Sequence, residues 1–555
     1  MTKNIRFSNL DRKKTIHKLK EDTYDLVVIG GGITGGGIAL DAASRGLKVA
    51  LVEKNDFASG TSSKSTKLIH GGLRYLKQFD FWLVKEVGSE RAIVHNLAPH
   101  LVLPEKMLLP LIENGSYGKW LTSIGLKVYD ILAQVTGDDK RKMLEKKEAL
   151  KLEPLLPKKI LKGAGYYAEY RTDDARLTME TIKTSLQYGA LPLNYAEVTD
   201  FIYEEDMVAG VKVKDTVSDT EFSIKSKYVI SAAGPWVDEL RGINNSKKGK
   251  RLHLTKGVHL VFPYEKLPIR QSVYFDIPDG RMMFAIPRGK ITYIGTTDTN
   301  FNENKDNVRV DVADAIYLIS AVNNMFPRIN LEMGDIISSW AGLRPLIHEE
   351  GKSASELSRK DEIFTSDSGL ISIAGGKLTG YRKMAERVVN RVAKKMEEDY
   401  GINVKPSDTE HIPLCGNDFK KYKQVKKYIA EVHERLTPEG FSQYDAWYLV
   451  TNYGKQTETI LKYYAEQQVD DHILGMAKAE LRFTIENEMV QTPMDFFIRR
   501  TGRLYFDIAS IKNLMEPILA EFQSIYKLDD GVINTYRKTL EREIEEHSNF
   551  SLDRI

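Results

Sequence analysis

Three glycines and one acid carry the first chemistry legible in this chain. Gly30, Gly32 and Gly35 stand as G-x-G-x-x-G directly after the apolar run Leu26 to Ile29, and Glu53 closes a second apolar run, Lys48 to Val52. At a strand-to-helix turn of this spacing Gly30 permits a sharp reversal, and Gly32 lets main-chain N–H groups approach a pyrophosphate. Gly35 lets the helix pack close to the strand, so that its positive end faces the anion. A carboxylate at the end of the second strand is placed to accept hydrogen bonds from the two hydroxyls of an adenosine ribose. A glycine turn alone is a common connection. Strand, turn, helix, second strand and terminal acid in order within about thirty residues point to dinucleotide binding.

Further along, charge and acid–base groups recur at turns. The run Leu370 to Tyr381, LISIAGGKLTGY, repeats the strand–glycine–helix order. There the N–H groups of Gly376, Lys377, Leu378 and Thr379, the helix dipole and the Lys377 ammonium would stabilise negative charge on a bound group. Arg74 (LRY), Arg344 (GLRP) and Arg359 (SRKD) are arginines in apolar or turn contexts. Arginine's planar fork holds phosphate or carboxylate through paired hydrogen bonds and does not lose its proton, although each residue singly also fits a surface ion pair. His259, in GVHLV, is the candidate base because imidazole titrates near neutral pH; a hydrogen-bonded core histidine is the alternative. Tyr75, Thr297 and Lys377 are candidates for orienting substrate hydroxyls. No metal site is expected.

These groups need a scaffold. At 555 residues the chain is long enough for two or three domains, and 42% apolar with 28% charged residues describes a globular protein. A net charge of +3 gives no global field for nucleic acid, so anion sites must be local. One cysteine, Cys415, excludes an intramolecular disulfide and fits a reducing compartment. Leu26 to Leu40 is uncharged, but six of its fifteen residues are glycine and it is too short to span a bilayer. The first twenty residues are basic without an apolar signal region, which reads as a solvated arm or a membrane-surface arm.

The segment from Asp56 to Tyr75, rich in hydroxyls and glycines, predicts an extended loop. Directly after a ribose-binding acid, such a loop, with Thr61, Ser62, His70 and Gly71, suits a cofactor longer than NAD, and FAD has that second half. Helical spacing is read from Glu169 to Leu193, and strands around Val208 to Val213, Phe222 to Lys225 and Tyr228 to Ala232. Short alternating runs from Leu252 to Trp340 predict an antiparallel sheet, and helical periodicity, for instance Phe419, Tyr422, Val425, Ile429 and Val432, fills the remainder.

The runs TSSKSTKLIHGGLRYL, ERAIVHNLAPHLVLP, SAAGPWVD, KGVHLVFP, IGTTDT, WAGLRPLI, IAGGKLTGYRKMAE and TPMDFFIRRTGRL resemble the FAD-dependent glycerol-3-phosphate dehydrogenases, within the D-amino-acid-oxidase-like flavoproteins. The resemblance implies an α/β (α+β) chain. It would comprise a Rossmann-like FAD domain (1–80, 160–240 and 341–385), an antiparallel-sheet substrate domain (81–159 and 241–340) and a C-terminal all-helical domain (386–555). It implies that Val198 meets the adenine through its backbone, that Ala233 and Gly234 close over the cofactor, and that His70 lines the flavin. It further implies that Arg74, Arg344 and Arg359 form a phosphate clamp for glycerol 3-phosphate, oxidised to dihydroxyacetone phosphate with electrons passed to a membrane quinone. A cytoplasmic protein on the inner face of an anionic membrane, as a homodimer, follows from the same resemblance, and the alternative is an oxidase that gives electrons to oxygen.

Overall fold

The computed structural model describes residues 6–70, 81–113, 115, 141–348, 361–467 and 469–550. Its centre is the strand Thr23–Ile29, whose Leu26, Val27 and Val28 are wholly buried, as expected of a strand covered on both faces. It pairs in parallel with Val49–Val52 on one side and Thr220–Ser231 on the other, with Ile29 level with both Val52 and Ser231. Leu191–Leu193 and Ile371–Ala374 extend the parallel array, Glu362–Thr365 forms one edge, and the strands Ala196–Glu204 and Met207–Asp215 attach along Thr220–Ser231. The parallel strands therefore end together, and the crevice beyond those ends is where ligands bind in such sheets.

Among the described residues a second, mostly antiparallel sheet of ten strands stands beside it. Arg251–Pro263 is its spine, paired with Ser338–His348 along one side and Ile291–Gly295 on the other. Three strands fall here rather than where the sequence boundaries placed them. Leu161–Arg171 pairs from Leu161 to Arg171 against Leu103–Ile112, so the first part of the expected helical stretch Glu169 to Leu193 is strand, and the helix Asp174–Gln187 begins only after the N-cap Asp173. Ser338–His348 follows Arg251–Pro263 in register from Val261↔Ser338 to Arg251↔His348, and Leu68–Ile69 adds to the outer edge of Leu161–Arg171. For Leu161–Arg171 and Ser338–His348 a long ladder in the second sheet outweighs nearness in sequence to the first, whereas Leu68–Ile69 is held there by two pairs alone.

The boundary at 385 also moves. Helix Tyr381–Tyr400 buries Met384, Ala385, Val388, Val389, Val392 and Met396 in the core of the first sheet, and ends at Gly401 in the left-handed conformation (φ +66°). Beyond it the described residues form helices joined by loops, the first helix starting at Tyr422. One core there is its own, built from Phe419, Val425, Val432, Leu449 and Ile460, but Phe496, Phe497, Leu504, Ile511 and Leu540 share a core with Val261, Tyr293 and Trp340 of the second sheet. The helical part is thus fused to the sheet rather than appended to it. At the other end, Arg12 is buried against Asp215 (2.6 Å), whereas Lys13, Lys14 and Lys20 are exposed, so only part of the basic arm is solvated.

Candidate active site and cofactor cleft

Two adjoining cavities open at the ends of the parallel strands. The first, about 250 Å³, is lined by Gly30, Gly32, Glu53, Thr61, Ser62, Val198, Ala233, Gly234, Gly376, Lys377 and Leu378 among others. Gly30 has φ +110°, and a Cβ there would lie 2.6 Å from the Ala232 carbonyl oxygen; a Cβ at Gly35 would lie 1.8 Å from the Gly30 carbonyl oxygen. These two glycines are demanded by the fold, and Gly35 sits outside the cavity lining. Gly32 differs: a Cβ there meets only Ser62 Oγ, at 3.2 Å, so the space its missing side chain leaves belongs to the cavity. The helix Ile33–Ser44 starts at Gly32 without a side-chain cap on its own N-cap residue, and the Ile33 N–H donates to Ser62 Oγ (3.0 Å). Glu53 accepts from the N–H groups of Gly31 (2.7 Å) and Asn55 (2.9 Å). Burial pushes its carboxyl above the usual range, and the two amide donors oppose that shift.

The second cavity, about 310 Å³, shares Thr61, Ser65, Pro345, Gly376, Lys377 and Leu378 with the first. His70, His259, Thr297, Arg344 and Thr379 also line it. Arg344 donates through one terminal nitrogen to the Thr297 carbonyl (2.9 Å) and through the other to Thr296 Oγ1 (2.8 Å), which fixes the plane of its fork. His259 is 1% exposed; its ring stacks on Trp340 (4.8 Å between centroids, 12° between planes), and Nε2 lies 3.0 Å from Thr66 Oγ1. Burial and the charges of Arg344 and Lys67 hold its pKa well below the ordinary 6.5, so the imidazole is neutral. His70 is pushed to about 3 by burial, with Lys377 and Arg91 adding to the shift. Its carbonyl accepts from Thr379 Oγ1 (3.3 Å).

Thr297 departs from expectation. Its hydroxyl donates to the Lys256 carbonyl (3.1 Å) and accepts from the Val258 N–H (3.2 Å), so it is turned into the sheet and positions Arg344 through its own carbonyl rather than orienting a ligand. Gly71, Arg74, Tyr75 and Arg359 lie outside the described residues.

Sequence reasoning missed several walls of the second cavity, among them Tyr167, Glu169, Tyr274 and Arg281. Tyr167 and Glu169 are two apart on a strand and so share a face, a signal that a helix expected to start at Glu169 cuts through. Three glycines were also a readable signal. A Cβ at Gly257 would lie 2.3 Å from the Arg344 guanidinium, one at Gly295 2.2 Å from the His259 ring, and one at Gly342 2.5 Å from the Lys64 carbonyl oxygen. Each glycine on this face marks the space occupied by a neighbour.

A family model described as FAD dependent oxidoreductase matches residues 25–382, and one described as the C-terminal domain of alpha-glycerophosphate oxidase matches 407–531. The chain is 48% identical over 546 residues to the aerobic glycerol-3-phosphate dehydrogenase of Bacillus subtilis, covering 97% of this chain and 98% of that one. It is 46% identical to the Staphylococcus aureus enzyme of the same name, over 98% of each. The chain belongs to the FAD-dependent glycerol-3-phosphate dehydrogenase family. Among solved structures, that of the Bacillus halodurans glycerol-3-phosphate dehydrogenase complexed with FAD is similar with a TM-score of 0.83 and 43% identity, covering 98% of this chain and 99% of that one. The Mycoplasma pneumoniae L-alpha-glycerophosphate oxidase shares the fold at a TM-score of 0.55 and 21% identity, covering 70% of this chain and 98% of that one.

FAD is the cofactor of the family, and the first cavity suits it. Its glycine turn leaves room at Gly32 at a helix N-terminus whose N-cap residue supplies no side chain, its Glu53 carboxylate is fixed by two amides, and its far end joins the second cavity at Gly376 to Leu378.

Proposed function

We propose that the protein oxidises sn-glycerol 3-phosphate to dihydroxyacetone phosphate and passes the two electrons to a membrane quinone. The observation that carries this reading is the second cavity, where Arg344, Lys377 and a neutral His259 surround a space that shares a wall with the cofactor cleft. Bound FAD supplies the acceptor for a hydride. In the first cavity Gly30, Gly32 and the start of helix Ile33–Ser44 take the pyrophosphate, and Glu53 takes the ribose hydroxyls. Thr61, Ser62, Val198, Ala233 and Gly234 line the remaining length. Gly376 to Thr379 and Lys377 supply positive potential at the wall between the cavities, where negative charge develops on reduction.

In the second cavity Arg344 holds the phosphate, its fork oriented by Thr296 and Thr297; Arg74 and Arg359, proposed as the other clamp arginines, and Tyr75, proposed to orient the substrate hydroxyls, lie outside the described residues. His259 accepts the proton of the C2 hydroxyl as the C2 hydride departs. Its neutral state leaves a ring nitrogen available as acceptor, and a bound dianion offsets part of the positive field that depresses its basicity. Steady-state turnover with a dye acceptor, comparing glycerol 3-phosphate with glycerol and lactate, tests the substrate. Selective turnover of the phosphate ester is expected, and equal rates with glycerol would remove the phosphate clamp from the mechanism.

The match of 407–531 to a domain described from alpha-glycerophosphate oxidase favours a second reading, in which oxygen is the acceptor and hydrogen peroxide the product. Peroxide formed in proportion to substrate consumed would select it.

A further inference from the structure

The segment from Gln491 to Arg500 lines neither cavity, yet it grips the cofactor cleft from behind. Residues Asp495–Arg500 form one wide helical turn, closed by the Thr501 N–H donating to the Phe496 carbonyl five residues back (3.0 Å). From it two arginines converge on Asp56. Arg500 donates to both carboxylate oxygens (2.8 and 2.9 Å), Arg499 donates through Nε to the oxygen Oδ2, and Asn194 donates at 3.0 Å. Asp56 is fully buried, and the Arg500 and Arg499 side chains are 1% and 11% exposed.

Asp56 starts the turn that carries Ser59, Gly60, Thr61 and Ser62 into the first cavity, and the next residue, Phe57, lies against Gly31, which Glu53 also adjoins. A Cβ at Gly31 would sit 2.6 Å from the Phe57 ring and 2.9 Å from Glu53 Cβ, and the Ala58 N–H donates to the Gly31 carbonyl (3.0 Å). Asp495, on the same helical turn as the arginines, accepts from Tyr195 OH (2.7 Å). Tyr195 donates its N–H to the Asn55 carbonyl (2.8 Å) and precedes Ala196, Glu197 and Val198, which form another wall of the cavity. One C-terminal turn thus holds the two chain segments that flank Glu53.

We propose that Arg499, Arg500 and Asp495 are positioning residues for the FAD site, so that docking of this C-terminal turn and binding of FAD are one linked equilibrium. Linkage is reciprocal: if the docked turn strengthens FAD binding, FAD must strengthen docking by the same factor. Removing a partner from a buried, hydrogen-bonded ion cluster leaves an uncompensated charge, so conservative changes are the informative ones.

The test uses the full chain. FAD is titrated into apoprotein of the parent, Arg499→Lys, Arg499→Gln and Arg500→Lys, following quenching of flavin fluorescence, with apoprotein melting as a control for folding. Hydrogen exchange of residues 491–504 is measured with and without FAD. The expected results are an FAD dissociation constant raised about tenfold or more in Arg499→Gln, partial recovery in Arg499→Lys, and slower exchange in 491–504 when FAD binds. An Arg499→Gln apoprotein that melts like the parent and binds FAD within about twofold of it would overturn the proposal, as would exchange in 491–504 that ignores FAD. If Arg500→Lys fails to fold, the Arg499 pair and the exchange measurement on the parent still decide.

Discussion

A methyl group added at Gly257 would fall 2.3 to 2.6 Å from the Arg344 guanidinium, the far end of a flexible side chain. The guanidinium would move aside at little cost to stability, but its fork would leave the plane set by Thr296 and Thr297. Gly257→Ala is therefore expected to lower kcat/KM for glycerol 3-phosphate roughly as much as Arg344→Ala, by about ten- to a hundredfold for one charge-assisted pair, with flavin content intact. Parent-like kcat/KM in both variants would take Arg344 out of the clamp. For His259 the pH profile is the sharper measurement. In the free enzyme burial, Arg344 and Lys67 keep its pKa well below 6.5, and a bound dianion raises it, so the acidic limb should lie at lower pH in kcat/KM than in kcat. His259→Ala should remove that limb and slow flavin reduction by roughly 10² to 10⁴. Reduction within a few-fold of the parent, with the limb still present, would assign the proton to another group. The sequence exposed Arg344 and His259 as residue types; it could not expose that the Thr297 hydroxyl faces the sheet, because that depends on a cross-strand partner, Lys256, 41 positions away.

At the scale of elements, the glycine turn was legible because its reasons are local: a strand, a reversal and a helix start within a few residues of one another. The strands Leu161–Arg171 and Ser338–His348 join the second sheet against their place in the sequence because their partners, Leu103–Ile112 and Arg251–Pro263, are distant in sequence, and a mostly buried strand carries no mark of the sheet it joins. The same distinction separates the glycines of the turn. Gly35→Val would drive a side chain into the Gly30 carbonyl, where there is no space in the folded protein, whereas the Cβ of Gly32→Val meets only the Ser62 hydroxyl and its branches extend from the cavity lining. Gly32→Val should accordingly purify folded, with an apoprotein melting temperature near that of parent apoprotein, but with little of the yellow absorbance of bound flavin. Glu53→Ala should also lose flavin, through the ribose contacts and through release of the Gly31 and Asn55 amides that its carboxylate holds. Full flavin absorbance in Gly32→Val would mean that the pyrophosphate lies elsewhere.

For the molecule as a whole the open question is where the electrons go. A quinone is confined to the bilayer, and among the described residues no helix is long and apolar enough to cross one. A dehydrogenase that uses it must therefore lie on the membrane surface and admit the head group from the side. Two groups of exposed lysines offer electrostatic attachment: Lys13, Lys14 and Lys20 near the start of the chain, and Lys420, Lys421, Lys423, Lys426 and Lys427 around the helix Tyr422–Leu436. The apolar stripe of that helix, Val425, Ile429 and Val432, is buried in its own core, so the helix does not insert and its contribution is charge alone. Attraction of that kind weakens as salt screens it, at a Debye length of about 10 Å in 0.1 M salt. The protein is thus expected to co-sediment with anionic liposomes, less so as ionic strength rises, and to turn over much faster with a quinone analogue than with air. Peroxide formed in step with substrate, at rates that match quinone reduction and without liposome binding, would assign the acceptor role to oxygen instead.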